Sequence, residues 1–262
     1  MRARRRRALP ILAASAVLGI VACGGSSSPT AAGSPTPKLS GTVTAFAAAS
    51  LTEAFNDDKA KLAAANPGLT VTYSFAGSQQ LVAQIQAGAP ADVVATADEA
   101  NMQKLVAANL VETPRIFARN LLEIVVAPGN PKGVHGLADL GRSDLKVVLG
   151  DPSVPAGKYA RQALNKLGVR VNPVSLELDV KSELQKVEAG EADAGIVYVT
   201  DVAAAGARAT GVAIPADQNV AATYPVAIVK ATANHALAQA FEDQLIAGAG
   251  RDALKARGFL SP

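Results

Sequence analysis

Between residues 41 and 75 the chain switches between two periods. In "GTVTAFA" (41–47) and "LTVTYSF" (69–75), β-branched or aromatic residues recur at alternate places, the pattern of a half-buried strand. Between them Leu51, Ala54, Phe55 and Leu62 share one helical face, which stops at Asn66-Pro67-Gly68. This is a βαβ unit. A helix from about Ser78 to Ala87, a turn at Gly88-Ala89-Pro90 and the strand "ADVVATA" (91–97) repeat the theme, and "ADEANMQKLVAAN" (97–109) reads as a further helix. Strands follow at "NLLEIVVAP" (120–128), "LKVVLG" (145–150), "SLELD" (175–179), "AGIVYV" (194–199) and "ATYPVAIVK" (222–230), with helices between them. Helices over 234–247 and 249–257 close the chain. Such alternation predicts an α/β fold of mainly parallel sheets covered by helices on both faces.

One stretch echoes another. Gln84-Ile85-Gln86-Ala87-Gly88 leads to Ala91-Asp92-Val93-Val94, and Gln185-Lys186-Val187-Glu188-Ala189-Gly190 leads to Ala192-Asp193 and Gly195-Ile196-Val197. Both read as helix, Ala-Gly stop, Ala-Asp, buried strand. Two similar lobes would explain this; so would the general preference for glycine just past a helix end.

Composition changes the picture mainly at the N-terminus. The 262 residues, 49% hydrophobic and 18% charged, suffice for one large domain or two lobes. The formal charge of +3 points toward an anionic partner until its origin is seen: Arg2, Arg4, Arg5, Arg6 and Arg7 supply it, and removing residues 1–22 takes +3 to −2. Those arginines and the uncharged run Ala8 to Ala22 have the form of a signal peptide. The run is shorter than the roughly 20 apolar residues of a membrane span. It ends in Ile20-Val21-Ala22-Cys23, similar to a bacterial lipobox, and Cys23 is the chain's only cysteine. Cleavage before Cys23 and lipid attachment to it are expected, with residues 23–40 as a lipid-anchored linker rich in Gly, Ser and Pro. The expected product is an extracytoplasmic lipoprotein, held to the bacterial cell membrane by its anchor, with no nucleic-acid partner.

Enzymatic constellations are scarce. The two histidines, His135 and His235, have no Cys or carboxylate neighbours at metal-ligand spacing and read as surface residues. No G-x-S-x-G elbow and no phosphate-binding P-loop occurs. What recurs is the helix start after a strand. Ser50 opens one helix, with Glu53 at the spacing of a capping box. Ser78 opens a second, Pro155 and Ala156 enter a third, and Asp179 precedes Val180 at the start of a fourth. In a parallel sheet these starts fall on the carboxyl edge, where α/β proteins bind ligands. Helix N-termini offer unpaired N–H donors and partial positive charge, so several aimed at one cleft make an anion site without lysine or arginine. Each start taken alone reads first as a structural cap, with Ser as an N-cap.

In order along the chain, "FAAASLTEAF", "SFAGSQQLVAQIQAGAPADVVATAD", "GDPSVPAGKYARQALNKLG", "DVKSELQKVEAGEADAGIVYVTD" and "YPVAIV" resemble the periplasmic molybdate-binding proteins of molybdate ABC importers, over about residues 41–260. The resemblance implies the two-lobed periplasmic-binding-protein fold with a ligand cleft between α/β lobes. One lobe would span 41–120 completed by 225–262, the other 121–224, with crossovers near Asn120 to Val126 and Thr223 to Ile228. It further implies molybdate contacts at Ser50 and Ser78 through hydroxyl and backbone N–H groups, at Ala156 and Val180 through backbone N–H groups, and at Tyr198 through its phenol; a core tyrosine at a strand end is the other reading of Tyr198. Where relatives carry a serine-rich run, this chain has Gly77 and Gln79 beside Ser78. The implied protein is a monomeric, non-enzymatic binder of molybdate or tungstate. It would use no cofactor and no direct protein–metal ligands, and would deliver its ligand to an ABC permease and ATPase. A binder of sulfate or thiosulfate, an anchored hydrolase using Ser50 or Ser78, and a structural lipoprotein are the alternatives.

Overall fold

A computed structural model describes residues 38–262; the expected signal peptide, Cys23 and nearly all of the expected linker lie outside the described residues. The elements are β1 (Ser40–Ala48), α1 (Thr52–Ala65), β2 (Gly68–Ala76), α2 (Ser78–Gln86), β3 (Val93–Ala95), α3 (Glu99–Ala107), β4 (Arg115–Asn120), β5 (Leu122–Val126) and β6 (Val148–Gly150). They continue with α4 (Pro155–Lys166), β7 (Ser175–Glu177), α5 (Val180–Glu188), β8 (Ala194–Tyr198), α6 (Val199–Ala205), β9 (Thr210–Ala213), β10 (Ala222–Ile228), α7 (His235–Ala247) and α8 (Ala249–Ala256).

Two sheet systems result. The first has the order β2-β1-β3-β10-β4, with β1 parallel to β2 and β3, and β10 antiparallel to both its neighbours. The second consists of β8-β5-β9, antiparallel throughout, and the parallel pair β6-β7, joined by a parallel bridge between Val147 and Ala194. Read through that bridge, its order β7-β6-β8-β5-β9 repeats the first sheet strand for strand, directions included. The antiparallel component enters because β5 and β10 reach their sheets from the other sheet. A single residue, Leu121, separates β4 in the first sheet from β5 in the second, and the segment after β9 returns the chain to β10. No crossover helix turns these strands parallel.

The sequence echo has a structural counterpart. Gly88 and Gly190 both adopt positive φ (86° and 72°) just past α2 and α5, where an L side chain would be strained. The following aspartates then make the same reciprocal bonds. Thr44 N–H donates to Asp92 Oδ2 (2.7 Å) while Asp92 N–H donates to Thr44 O (2.8 Å). Lys146 N–H donates to Asp193 Oδ2 (2.8 Å) while Asp193 N–H donates to Lys146 O (2.8 Å). In each sheet this pair fixes the register of the strand after the turn.

Three elements depart from the sequence reading. β4 ("RIFARN") has weak alternation and gains its place by pairing with β10. The helix α6 begins at Val199, which the sequence assigns to a strand, because β8 ends on reaching the cleft at Tyr198. The short β9 is recruited by β5. An aromatic chain links the cores: Phe55 packs on Tyr73, Phe117 and Phe241 (centroids 5.4, 6.2 and 6.3 Å), Phe117 meets Tyr224 at 6.4 Å, and Tyr224 meets Tyr198 on the second sheet at 5.9 Å. Such pairs add about 0.5–1.5 kcal/mol each beyond area burial. Among the described residues no helix is long and apolar enough to cross a membrane.

Candidate functional site

The carboxyl ends of β1, β2, β6, β7 and β8 converge on one small cavity of about 10 Å³. Ser50, Ser78, Ala156, Val180 and Tyr198 all line it, together with Ala49, Gly77, Ala97 and Pro155, which sequence reading did not place in a binding role. Short strands that stop at the same edge and helices that begin there bring together residues up to 150 positions apart, from Ala48 to Tyr198.

The local geometry corrects the capping expectation at Ser50. This residue lies inside a 3₁₀ turn, Ala49–Leu51, and neither that turn nor α1 has a side-chain cap. Glu53 makes no capping box because Lys181 Nζ donates to both its oxygens at 2.8 Å. Ser50 Oγ instead lies 2.9 Å from the Tyr224 hydroxyl. Ser78 is the first residue of α2 and Gly77 is its N-cap. Its Oγ accepts from Ala97 N–H at 3.0 Å, which leaves its proton free to be donated elsewhere. Pro155 takes the first helical position of α4 with Ala156 next, and Val180 opens α5 behind an N-cap by Asp179, as the sequence predicts. The first-turn N–H groups of these helices lack intrahelical acceptors and present the positive end of the helix dipole.

Two glycines permit the close approaches. A Cβ on Gly77 would lie 2.2 Å from Leu178 O, so only glycine lets the β2–α2 turn meet the β7–α5 turn. A Cβ on Gly157 would lie 2.3 Å from Gly150 O, so glycine lets α4 settle on the end of β6. Beside Gly77, Gln79 Nε2 donates to Leu178 O at 2.7 Å, a contact across the same gap.

The site carries donors and little formal charge. Among the described residues lining it none is Lys or Arg, and Asp179 spends its carboxylate on Ser182 N–H and Ser182 Oγ–H, both at 2.9 Å. Tyr198 is 1% exposed, and its hydroxyl finds no hydrogen-bond partner. Burial, with the nearby Tyr224, pushes its phenol far above the ordinary tyrosine value, so it remains a protonated donor. A buried hydroxyl without a partner is costly, about 1–3 kcal/mol, and this one lines the cavity. His135 and His235 are exposed and lie outside the lining; His235 Nε2 is 2.7 Å from Glu112 Oε1. Among the described residues no cluster of His, Cys, Asp and Glu is suited to hold a metal ion.

Comparison with known proteins places this geometry in context. The profile of the family described as bacterial extracellular solute-binding protein matches residues 43–260. The molybdate-binding protein ModA of Mycobacterium tuberculosis (strain H37Rv) is 42% identical over 253 residues, covering 96% of this chain and 97% of that protein. Among solved structures, the periplasmic molybdate-binding protein of Azotobacter vinelandii aligns with a TM-score of 0.72 at 22% identity, covering 84% of this chain and 99% of the other. The sulfate-binding protein SubI of Mycobacterium tuberculosis H37Rv aligns with a TM-score of 0.75 at 21% identity, covering 83% and 86%. These two share its fold, in which two α/β lobes enclose a ligand cleft. With a family profile spanning nearly all of the described residues and a relative matched over almost its whole length, the chain belongs to the bacterial extracellular solute-binding protein family.

Proposed function

We propose that this protein captures molybdate, and tungstate with it, outside the cytoplasm and delivers it to an ABC permease driven by a cytoplasmic ATPase. The observation that carries the reading is a cavity whose one lining carboxylate, Asp179, is already satisfied, so that the polar groups left to a ligand are donors. Ser50, Ser78, Ala156, Val180 and Tyr198 meet around it, Tyr198 brings an unsatisfied buried hydroxyl, and four helical segments begin at its rim. The mycobacterial relative named for molybdate binding points the same way.

Molybdate at neutral pH is a fully deprotonated tetrahedral dianion, so each oxygen accepts hydrogen bonds and none donates. A lining of N–H and O–H groups satisfies it without leaving a protein acceptor against an oxygen. Helix N-termini balance the charge without a lysine or arginine. A protonated phosphate would need an acceptor. Sulfate lacks a proton too and is rejected by size, since its shorter bonds stretch donors set for molybdate, at roughly 1–3 kcal/mol per unsatisfied group. We take the lobes as 41–120 with 225–262 and as 121–224, closing on the ligand about the β4–β5 step and the segment entering β10. Cys23 carries the lipid that keeps the monomer near its permease, and the protein catalyses no reaction.

Calorimetric titration of the purified protein with molybdate, then with sulfate and phosphate, tests this. Tight one-to-one molybdate binding that excess sulfate does not displace is expected, and Ser50→Ala with Ser78→Ala together should weaken it at least tenfold. Equal binding of sulfate would move the function to a different oxyanion importer. No binding of any tetrahedral oxyanion would end the reading.

A further inference from the structure

Tyr224 is not among the residues lining the cavity, yet it touches two of them, Ser50 and Tyr198. Its ring is fully buried on β10, edge-on to Phe117 (6.4 Å), Tyr198 (5.9 Å) and Phe259 (5.4 Å), so packing fixes where its hydroxyl sits. That hydroxyl is 2.9 Å from Ser50 Oγ, and either oxygen has a proton to give. Among the described residues this is the one hydrogen bond the Tyr224 hydroxyl makes, so its proton has Ser50 Oγ as its acceptor, whereas the Ser50 proton can turn to the cavity that Ser50 lines. The Tyr198 hydroxyl makes no hydrogen bond to the Tyr224 hydroxyl.

We propose that Tyr224 is a positioning residue for oxyanion recognition: by donating to Ser50 Oγ it occupies that oxygen from behind and commits the Ser50 proton to the cavity. This inference rests on reading the cavity as an oxyanion site. The resulting series runs from the Tyr224 hydroxyl to the Ser50 hydroxyl, to the anion. Every proton points forward, and each bond polarises the next. Ala97 N–H does the same for Ser78. Both serines thereby spend an acceptor site away from the cavity and face it as donors, which disfavours an anion that carries a proton. Burial raises the Tyr224 phenol far above its ordinary value, so the donor is not lost with alkaline pH. Tyr224→Phe removes this control with the ring left in place.

The test is a double-mutant cycle read by molybdate titration. Tyr224→Phe should weaken binding about fivefold in the wild-type background, the worth of one ordinary hydrogen bond. In a Ser50→Ala background the same substitution should change affinity less than twofold, because the group it orients is gone. Sulfate and phosphate are then compared as competitors at millimolar concentration. Phosphate should gain on sulfate in Tyr224→Phe, where Ser50 Oγ is free to accept its proton. Thermal unfolding of each variant reports that the fold is kept. Equal losses in both backgrounds would assign Tyr224 to packing and overturn the proposal, as would no loss in the wild-type background or an unchanged phosphate-to-sulfate ratio. Failure of the unsubstituted protein to bind any tetrahedral oxyanion would overturn the proposed function itself, and shows before any substitution is made.

Discussion

At the scale of single residues, the least comfortable group is Asp58 on α1. It is fully buried, and neither carboxylate oxygen has a hydrogen-bond partner. Burial pushes its carboxyl up to about 6, against a smaller opposing pull from Lys61. A carboxyl whose folded value lies above its unfolded value holds more protons in the folded state, so it favours folding most at low pH. That contribution fades as pH rises from about 4 to about 6, and above this the ionised group costs about 3 kcal/mol relative to its neutral form. Asparagine has nearly the shape of the neutral acid. Asp58→Asn should therefore raise the urea midpoint at pH 8 and leave it nearly unchanged at pH 4. An equal gain at both pH values would mean that ionisation of Asp58 is not the cause. Tyr73, whose buried hydroxyl also lacks a partner, is raised by burial and by the Asp58 charge.

At the scale of elements, the two sheets differ where a strand pair has opened. β1 and β3 pair over three residues, from Ala45↔Val93 to Ala47↔Ala95, whereas their counterparts β6 and β8 touch only through Val147↔Ala194. Glu183 from α5 fills the gap. Its Oε1 accepts Ile196 N–H at 2.8 Å, its other oxygen faces Gly150, and Gly195 leaves room for it, since a Cβ there would lie 3.1 Å from Oε1. Complete burial lifts this carboxyl well above the usual range, so it serves as a neutral acid that stands in for missing ladder bonds. Glu183→Gln should hold stability within about 1 kcal/mol, while Glu183→Leu strands Ile196 N–H and should cost about 1–3 kcal/mol in urea unfolding. Equal stabilities for the two variants would show that this bond does not hold β8. None of this was legible in "VKSELQKVEAG", where Glu183 reads as one more polar position on an amphipathic helix. The helix itself, its start at Val180 and its glycine stop were legible, because they depend on residues within a turn of one another. The converging helix starts were legible for the same reason, once alternation set them at strand ends. What escaped was every feature made by distant partners: the pairing that recruits β4 and β9, the contact of Ser50 with Tyr224, and the diversion of Glu53 from its expected capping box to Lys181.

At the scale of the whole molecule, that diverted glutamate ties one half to the other. Lys181, immediately after Val180 at the start of α5, bonds both oxygens of Glu53 on α1 and lies 2.9 Å from Asp201 on α6. Lys158 on α4 reaches Asp98 at 3.6 Å, and Gln79 reaches Leu178 O, so three polar contacts span the rim of the cavity. Of these, Glu53–Lys181 joins α1, which follows the turn that holds Ser50, to α5, which opens with Val180. Removing Lys181 would leave buried Asp201 without its cation and confuse folding with closure. Glu53→Gln is the cleaner change, because the Lys181–Asp201 pair remains and the altered group is partly exposed. If closure of the cleft holds the ligand, stability should stay within about 1 kcal/mol while bound molybdate leaves about two- to fivefold faster, the worth of one such ion pair. Salt should then distinguish the proteins in rapid-mixing displacement: release from the unsubstituted protein should quicken with ionic strength, and release from Glu53→Gln should respond less. An unchanged release rate with the full salt dependence retained would place the barrier to ligand escape elsewhere, in the donors around the anion rather than in the contacts that join the halves.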